Sequence, residues 1–134
     1  MVRLGLVVAE FNREVTEEME RQAVERADEL GAEVVDTTYV PGAYDAPLAA
    51  DRLARRDDVD AVTVVGAIKS GDTDHDRVIG TAMAQGLTDV SLDRDTPVTL
   101  GVTGPGMSMD EAHARIGYGA SALEGAVDLV ENIS

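Results

Sequence analysis

The sequence predicts an α/β protein in which a parallel sheet of about four strands lies between two layers of helices. Two observations support this prediction: short apolar runs alternate with segments of helical periodicity, and each run is followed by glycine, proline and polar residues. Strands separated by helices run parallel, with right-handed crossovers. At 134 residues, the chain is expected to form a single domain over residues 1–134.

The first half of the chain predicts two strands and two helices. Residues 3–8 (RLGLVV) form an apolar run with no polar face, as in a strand buried on both sides. Apolar side chains then recur every three or four residues from Val15 to Leu30, which predicts an amphipathic helix ended by Gly31. Residues 33–39 predict the second strand, and residues 46–56 predict a short helix.

The second half repeats this alternation. Residues 61–65 (AVTVV) and 98–102 (VTLGV) predict the third and fourth strands, and residues 74–90 carry apolar side chains on one side of a helix. Ser108 followed by Glu111 is a capping box, which predicts the start of one long helix over residues 108–133. Gly117, Gly119 and Gly125 are expected to bend this helix or to let a neighbour approach closely.

Charge and composition exclude several classes of function. The chain has 26 acidic and 11 basic residues, a net charge of −15, which would repel nucleic-acid phosphates. It has no cysteine, and no apolar run approaches the roughly 18 residues of a membrane span. We therefore expect a cytoplasmic protein with no nucleic-acid or membrane partner. The dense carboxylates suit a salt-rich cytoplasm, so a halophilic source is our hypothesis.

Candidate binding residues follow each predicted strand, where the carboxyl ends of parallel strands meet. After the first strand, Phe11 is the only phenylalanine; it could belong to the core or could stack on a planar ligand ring. Asn12 could bind a ligand, but we expect it at least to cap the following helix. After the second strand, Pro41 and Gly42 predict a rigid turn that lets Asp45 hold polar ligand groups, unless Asp45 is merely solvated.

The segment after the third strand is richest in polar residues. Gly71 precedes the predicted helix start, where free N–H groups bind anions, and Thr73 with Asp76 resembles a capping box. His75 lies in the first turn, where a helix N-terminus favours the neutral imidazole that suits a proton shuttle; a plain surface histidine is the alternative. A metal site in this acidic segment is disfavoured, because consecutive helical residues point in different directions.

The fourth strand leads through a stiff Gly-Pro-Gly loop to Arg115 on the last helix. Arg115 lies four residues after Glu111, so it could form a helical ion pair or hold a phosphate with two hydrogen bonds. Together these segments predict a site for a planar, anionic ligand. The spacing does not identify the reaction.

These same segments carry a family resemblance. AEFN (residues 9–12), VPGAYDAPLA (40–49), GAIKSGDTDHD (66–76), TLGVTGPGM (99–107) and ARIGYG (114–119) resemble the lumazine synthase family over nearly the whole chain, and the last two resemble its archaeal branch. The family's flavodoxin-like three-layer αβα sandwich agrees with the predicted fold. The resemblance implies condensation of 5-amino-6-(D-ribitylamino)uracil with 3,4-dihydroxy-2-butanone 4-phosphate, without cofactor or metal.

The resemblance also implies partners and residue roles. The assembly would be a homo-pentamer, possibly a 60-subunit shell, with sites between subunits. Phe11 would stack on the pyrimidine beside Asn12, and His75 would move protons. Further substrate-binding positions would be Ala43, Tyr44 and Asp45 (ribityl chain), Ala67, Ile68 and Lys69 (backbone groups), Gly71, Asp72 and Thr73 (phosphate), and Arg115 from a neighbouring subunit (phosphate).

Five positions depart from the common family pattern. Leu100 replaces a phenylalanine in the pyrimidine pocket, and Asp45 replaces a longer glutamate. Lys69 and Ser70 stand where isoleucine and a charged residue are usual, and Ala120 often has lysine as its counterpart.

Two other functions remain open at this point. One is an archaeal-type riboflavin synthase, and the other is a non-catalytic flavodoxin-like module that binds a flavin or a phosphorylated ligand.

Overall fold

Four parallel strands form the sheet in the computed structural model, which describes residues 1–69 and 74–133. The strands are β1 (Arg3–Ala9), β2 (Glu33–Val40), β3 (Ala61–Lys69) and β4 (Val98–Met107). They lie in the order β2-β1-β3-β4, and all three neighbouring pairs are parallel. The predicted parallel sheet is confirmed; β3 and β4 run four and five residues beyond their predicted ends.

Helices cover both faces of this sheet. They are α1 (Arg13–Glu29), α2 (Ala46–Ala54), α3 (His75–Arg94), α4 (Met109–Ala114) and α5 (Tyr118–Asn132), with a 3₁₀ turn at Ala43–Asp45 before α2. One apolar cluster joins α2 and α3 to the sheet, and a second cluster joins α1, α4 and α5 to the opposite face. The three-layer αβα arrangement is therefore confirmed.

The two central strands are buried almost completely. In β1 every residue after Arg3 is buried, and in β3 every residue before Lys69 is buried. Continuous burial explains why both segments lack a polar face, since each must be covered by helices above and below. Strand β1 leads into α1 on one face of the sheet, whereas β3 leads towards α3 on the opposite face. A crevice therefore opens at the carboxyl ends of β1 and β3.

The last helical segment differs from the prediction of one helix over residues 108–133. The capping box is confirmed: the Glu111 N–H donates to Ser108 Oγ at 3.2 Å, and the Ser108 N–H donates to Glu111 Oε1 at 3.1 Å. However, α4 ends at Ala114 and α5 begins at Tyr118. Gly119 then packs closely, because a Cβ there would lie 3.1 Å from Val65 Cγ1. The prediction of a single helix was wrong, while the expected close approach is confirmed.

No helix in the described ranges is long and apolar enough to cross a membrane. The surface is densely acidic. Among the described residues, Asp76 is the only buried carboxylate, so the other carboxylates remain at least partly exposed to solvent. Mutual repulsion of exposed carboxylates opposes folding at low ionic strength.

We expect the melting temperature to rise by at least several degrees between about 0.1 M and about 2 M KCl, because the screening length falls from ~10 Å to under ~3 Å. Surface ion pairs such as Arg3–Asp60 (3.1 Å) weaken with salt, but such pairs each contribute little. Thermal unfolding followed by circular dichroism measures this effect. Equal melting temperatures at the two salt concentrations would contradict it.

Candidate functional site

A cavity of about 370 Å³ lies at the carboxyl edge of the sheet. Its volume falls within the range of small-molecule sites. The ends of β1, β2 and β3 and the first turn of α3 supply its lining, which consists of Phe11, Asn12, Gly42, Ala43, Tyr44, Asp45, Ala67, Ile68, Lys69, His75, Asp76 and Ile79. The structure thus brings together nine of the predicted substrate-binding and catalytic residues from four separate segments.

Phe11 forms an aromatic wall of this cavity. Its side chain is 68% exposed, so it does not belong to the core. The ring rests on Gly42, where an added Cβ would lie only 2.9 Å from two ring carbons. The N–H of Phe11 donates to Pro41 O at 3.0 Å, which links the ends of β1 and β2. Glycine at position 42 therefore makes room for a flat ring that remains open to a ligand.

Asn12 does not cap α1 with its side chain, contrary to our expectation. Its backbone is left-handed (φ 63°), and its Nδ2 donates to Ala67 O at 3.1 Å. This hydrogen bond joins the end of β1 to the end of β3, the two strands that border the crevice. Asn12 therefore fixes the floor of the cavity.

The turn after β2 positions Tyr44 and Asp45. The Asp45 N–H donates to Gly42 O at 3.0 Å, which closes the 3₁₀ turn at Ala43–Asp45, and the Gly42 N–H donates to Asp45 Oδ2 at 3.1 Å, which caps it. Tyr44 is 64% exposed, whereas Ala43 is buried. The turn thus holds one carboxylate and one phenol at the cavity, as expected for groups that bind a polar chain.

Residues Ala67, Ile68 and Lys69 lie within β3, although the strand predicted from the sequence ended at residue 65. Ala67 and Ile68 are buried, and Lys69 is exposed at the last position of the strand. Lys69 pairs in register with Met107 of β4. The only lysine of the chain therefore lines the same cavity as Asp45 and Asp76.

The start of α3 contributes His75 and two residues that the sequence analysis did not assign to the site. His75 is exposed at the first helical position. Asp76 is 9% exposed, and its Oδ2 accepts the Gly106 N–H at 3.0 Å. Ile79 lies one turn after His75. Helical spacing from His75 is the signal that could have identified Ile79 as a lining residue.

Two predicted site residues, Leu100 and Arg115, do not belong to the described lining of the cavity. Leu100 is 47% exposed on β4 and lines a separate depression with residues of α3. Arg115 does not line the cavity; its Nη2 is 3.6 Å from Glu111 Oε2, so the expected helical ion pair is present. Hydrogen bonds from Ser108 lower the pKa of Glu111, which keeps this carboxylate charged beside the guanidinium. Gly71, Asp72 and Thr73, with the expected Thr73–Asp76 pair, lie outside the described residues.

The arrangement combines an aromatic face, hydrogen-bonding groups, a cation and an imidazole. It can hold a planar ring against Phe11 and bind hydroxyl groups near Asp45, with His75 available for proton transfer. Within residues 1–69 and 74–133, no three His, Cys, Asp or Glu side chains are grouped to hold a metal ion.

Comparisons with known proteins identify the family. A family model described as 6,7-dimethyl-8-ribityllumazine synthase matches residues 1–134. A protein of that name from Halobacterium salinarum is 66% identical, over 99% of this chain and 100% of the relative. Similar proteins from Halorubrum lacusprofundi (65% identity, 99% of each chain) and Methanococcus aeolicus (48%, 100% and 98%) carry the same name. The first two support a halophilic source. This chain therefore belongs to the 6,7-dimethyl-8-ribityllumazine synthase family.

Proposed function

We propose that the cavity at the carboxyl ends of β1, β2 and β3 is the active site at which this transferase of riboflavin biosynthesis forms 6,7-dimethyl-8-ribityllumazine. The observation that carries this proposal is the meeting of Phe11, the 43–45 turn and His75 in one cavity. The substrates are 5-amino-6-(D-ribitylamino)uracil and 3,4-dihydroxy-2-butanone 4-phosphate. The whole chain acts as one cytoplasmic domain.

The pyrimidine and its ribityl chain occupy the side formed by β1, β2 and β3. The pyrimidine stacks on Phe11, whose exposed ring packs against the backbone of Gly42. Backbone groups of residues 67–69 meet the ring edge. The ribityl hydroxyls lie along residues 43–45; because Asp45 Oδ2 is used within the turn, we assign Oδ1 to a hydroxyl.

The butanone phosphate occupies the side formed by the start of α3. The amine of the pyrimidine attacks its ketone, and an imine forms with release of one water. Phosphate then leaves, and ring closure releases a second water. The amine is already nucleophilic, so positioning and proton transfer through His75 supply much of the catalysis. The backbone N–H groups of Asp72 and Thr73 and the guanidinium of Arg115 bind the phosphate, and Gly71 belongs to the same phosphate-binding segment.

A homo-pentamer, or a 60-subunit shell built from pentamers, completes the site. Among the described residues, Arg115 and Leu100 do not line the cavity of their own chain, so we assign them to the site of a second copy. Apolar side chains also remain exposed on α3, β4 and α5, which suits an interface between copies. They are Val78 (62% exposed), Leu92 (76%), Leu100 (47%) and Tyr118 (50%).

A two-substrate assay tests the proposed function. Purified protein incubated with the uracil and the butanone phosphate in concentrated KCl is expected to produce the fluorescent lumazine and release one phosphate per turnover. Lumazine supplied alone is expected to remain unchanged. Riboflavin formed from lumazine alone would indicate a riboflavin synthase instead, and ligand binding with no product in either mixture would indicate a binding module.

A further inference from the structure

Asp76 differs from the other carboxylates of this chain. Among the residues that the structure describes, it is the only buried charged residue, at 9% exposure. It follows His75 directly and lines the same cavity, yet the proposed chemistry assigns it no role. Burying a carboxylate is costly unless hydrogen bonds compensate for its lost hydration. The hydrogen-bond partner of the Asp76 carboxylate therefore indicates what this residue does.

That partner is Gly106, near the carboxyl end of β4. Asp76 Oδ2 accepts the N–H of Gly106 at 3.0 Å, across 30 positions of sequence. Gly106 has a left-handed backbone (φ 83°), which favours glycine. One turn further along α3, a Cβ on Gly80 would lie 2.9 Å from Pro105 Cδ, so only glycine allows this contact. Two contacts thus attach the first turns of α3 to residues 105 and 106 near the end of β4.

The hydrogen bond joins two segments that both carry functional residues. On one side is the first turn of α3, with His75. On the other side is the end of β4, which leads through Ser108 into α4. Helix α4 ends next to Arg115. We propose that Asp76 is a positioning residue, whose hydrogen bond to Gly106 holds the helix start carrying His75 at its working place in the cavity. This proposal rests on the proposed function.

Neighbouring Asp74 provides a matched control. It flanks His75 on the other side and carries the same charge, but its side chain is 93% exposed. Its carboxylate is 4.0 Å from Arg77, an exposed pair of little energetic value. An effect of negative charge near His75 would appear in variants of both aspartates, whereas an effect of the hydrogen bond would appear only at Asp76.

Three variants separate the hydrogen bond from the charge. Asp76→Ala removes both, Asp76→Asn keeps an acceptor oxygen for Gly106 but removes the charge, and Asp74→Ala removes only a charge. We expect Asp76→Ala to lower kcat about tenfold and to raise KM for the butanone phosphate several-fold, because the helix start loses its anchor. KM for the uracil should stay within about twofold, since its contacts come from the strand ends. Asp76→Asn and Asp74→Ala should stay within about threefold of wild type in every parameter.

Amide hydrogen exchange gives a readout that does not depend on activity. The Gly106 N–H of the assembled protein, followed by mass spectrometry with fragmentation, should be protected in wild type and in Asp76→Asn. It should exchange at least about tenfold faster in Asp76→Ala. This measurement distinguishes failure of the positioning proposal from failure of the proposed function, because it holds even if wild type makes no lumazine.

Four results would each overturn the proposal. The first is an unchanged Gly106 exchange rate in Asp76→Ala, and the second is a parallel increase of the KM values for both substrates in that variant. The third and fourth are a loss of kcat in Asp76→Asn, or in Asp74→Ala, equal to the loss in Asp76→Ala.

If Asp76→Ala does not fold, Asp76→Glu replaces it. Glutamate keeps the charge, but its extra methylene moves the carboxylate away from Gly106. The same losses are then expected, and wild-type kinetics with protected Gly106 would contradict the proposal.

Discussion

Replacing His75 with alanine is expected to lower kcat by about 10- to 100-fold and to leave both KM values within about threefold of wild type. His75 is exposed at the start of α3 and lines the cavity, so its loss removes a proton donor and acceptor without opening the core. The expected loss is at the lower end for general acid–base catalysis because the attacking amine needs little activation. Steady-state kinetics of lumazine formation measure it.

The second histidine supplies a matched control for this variant. His113 lies on α4, where its Nδ1 is 2.9 Å from Met109 O and its Nε2 is 3.7 Å from Glu14. It does not line the cavity. His113→Ala should therefore retain wild-type kcat, and both variants should melt close to the wild-type temperature. An unchanged kcat in His75→Ala would remove His75 from the mechanism.

The sheet was predictable because its central strands are buried on both faces. Such strands must be almost wholly apolar, and the runs RLGLVV and AVTVV show this directly. Strand ends were less predictable. β3 continues through Gly66 to Lys69 because β4 pairs with it along this stretch, and a pairing partner 36 or more residues away is not visible in local composition.

The break between α4 and α5 was missed because apolar spacing continues through it. Residues 115–117 keep helix-like hydrogen bonds, such as Tyr118 N–H to Arg115 O at 3.0 Å. The interruption lies in backbone angles, since Arg115 has φ −107° and ψ 18°. Gly117 next to this position was the available signal, but a glycine alone does not tell a bend from a break.

The cavity was predicted in outline but not in its internal contacts. The ends of parallel strands lie at one edge of a sheet, so Phe11, Asp45 and His75 could be placed together from sequence, whereas the fourth predicted segment, with Leu100, does not line the cavity. The hydrogen bonds that fix the cavity could not be predicted in this way. Asn12 bonds to Ala67 and Asp76 bonds to Gly106, each across a long stretch of chain, whereas both residues resemble local helix caps in the sequence.

Replacing Arg115 with alanine is expected to raise KM for the butanone phosphate by roughly 10- to 100-fold, because charged hydrogen bonds contribute ~1.5–3 kcal/mol. KM for the uracil should change little, since the pyrimidine half of the proposed site lacks this group. Arg115→Lys should recover only part of the loss, because an ammonium cannot make the two-pronged contact of a guanidinium. Substrate titrations at fixed concentration of the other substrate measure both KM values.

A helical ion pair elsewhere provides the control for Arg115. Arg55 on the α2 end forms the same kind of pair with Asp51, four residues earlier, at 3.2 Å. It lies outside the cavity lining, so Arg55→Ala should leave both KM values near wild type. Equal increases of both KM values in Arg115→Ala would indicate that Arg115 instead supports the subunit interface.

Mixing two variants that lose most of their activity at a butanone phosphate concentration near the wild-type KM tests whether neighbouring subunits share the site. Arg115→Ala subunits keep an intact Phe11 half, and Phe11→Asp subunits keep an intact Arg115. In pentamers refolded from an equal mixture, about a quarter of the interfaces pair the two intact halves, so about a quarter of wild-type activity should return. Each variant refolded alone should retain little activity at the same substrate concentrations. A site contained within one chain cannot be restored in this way, because every subunit in the mixture carries one defect; an inactive mixture would therefore exclude the shared site.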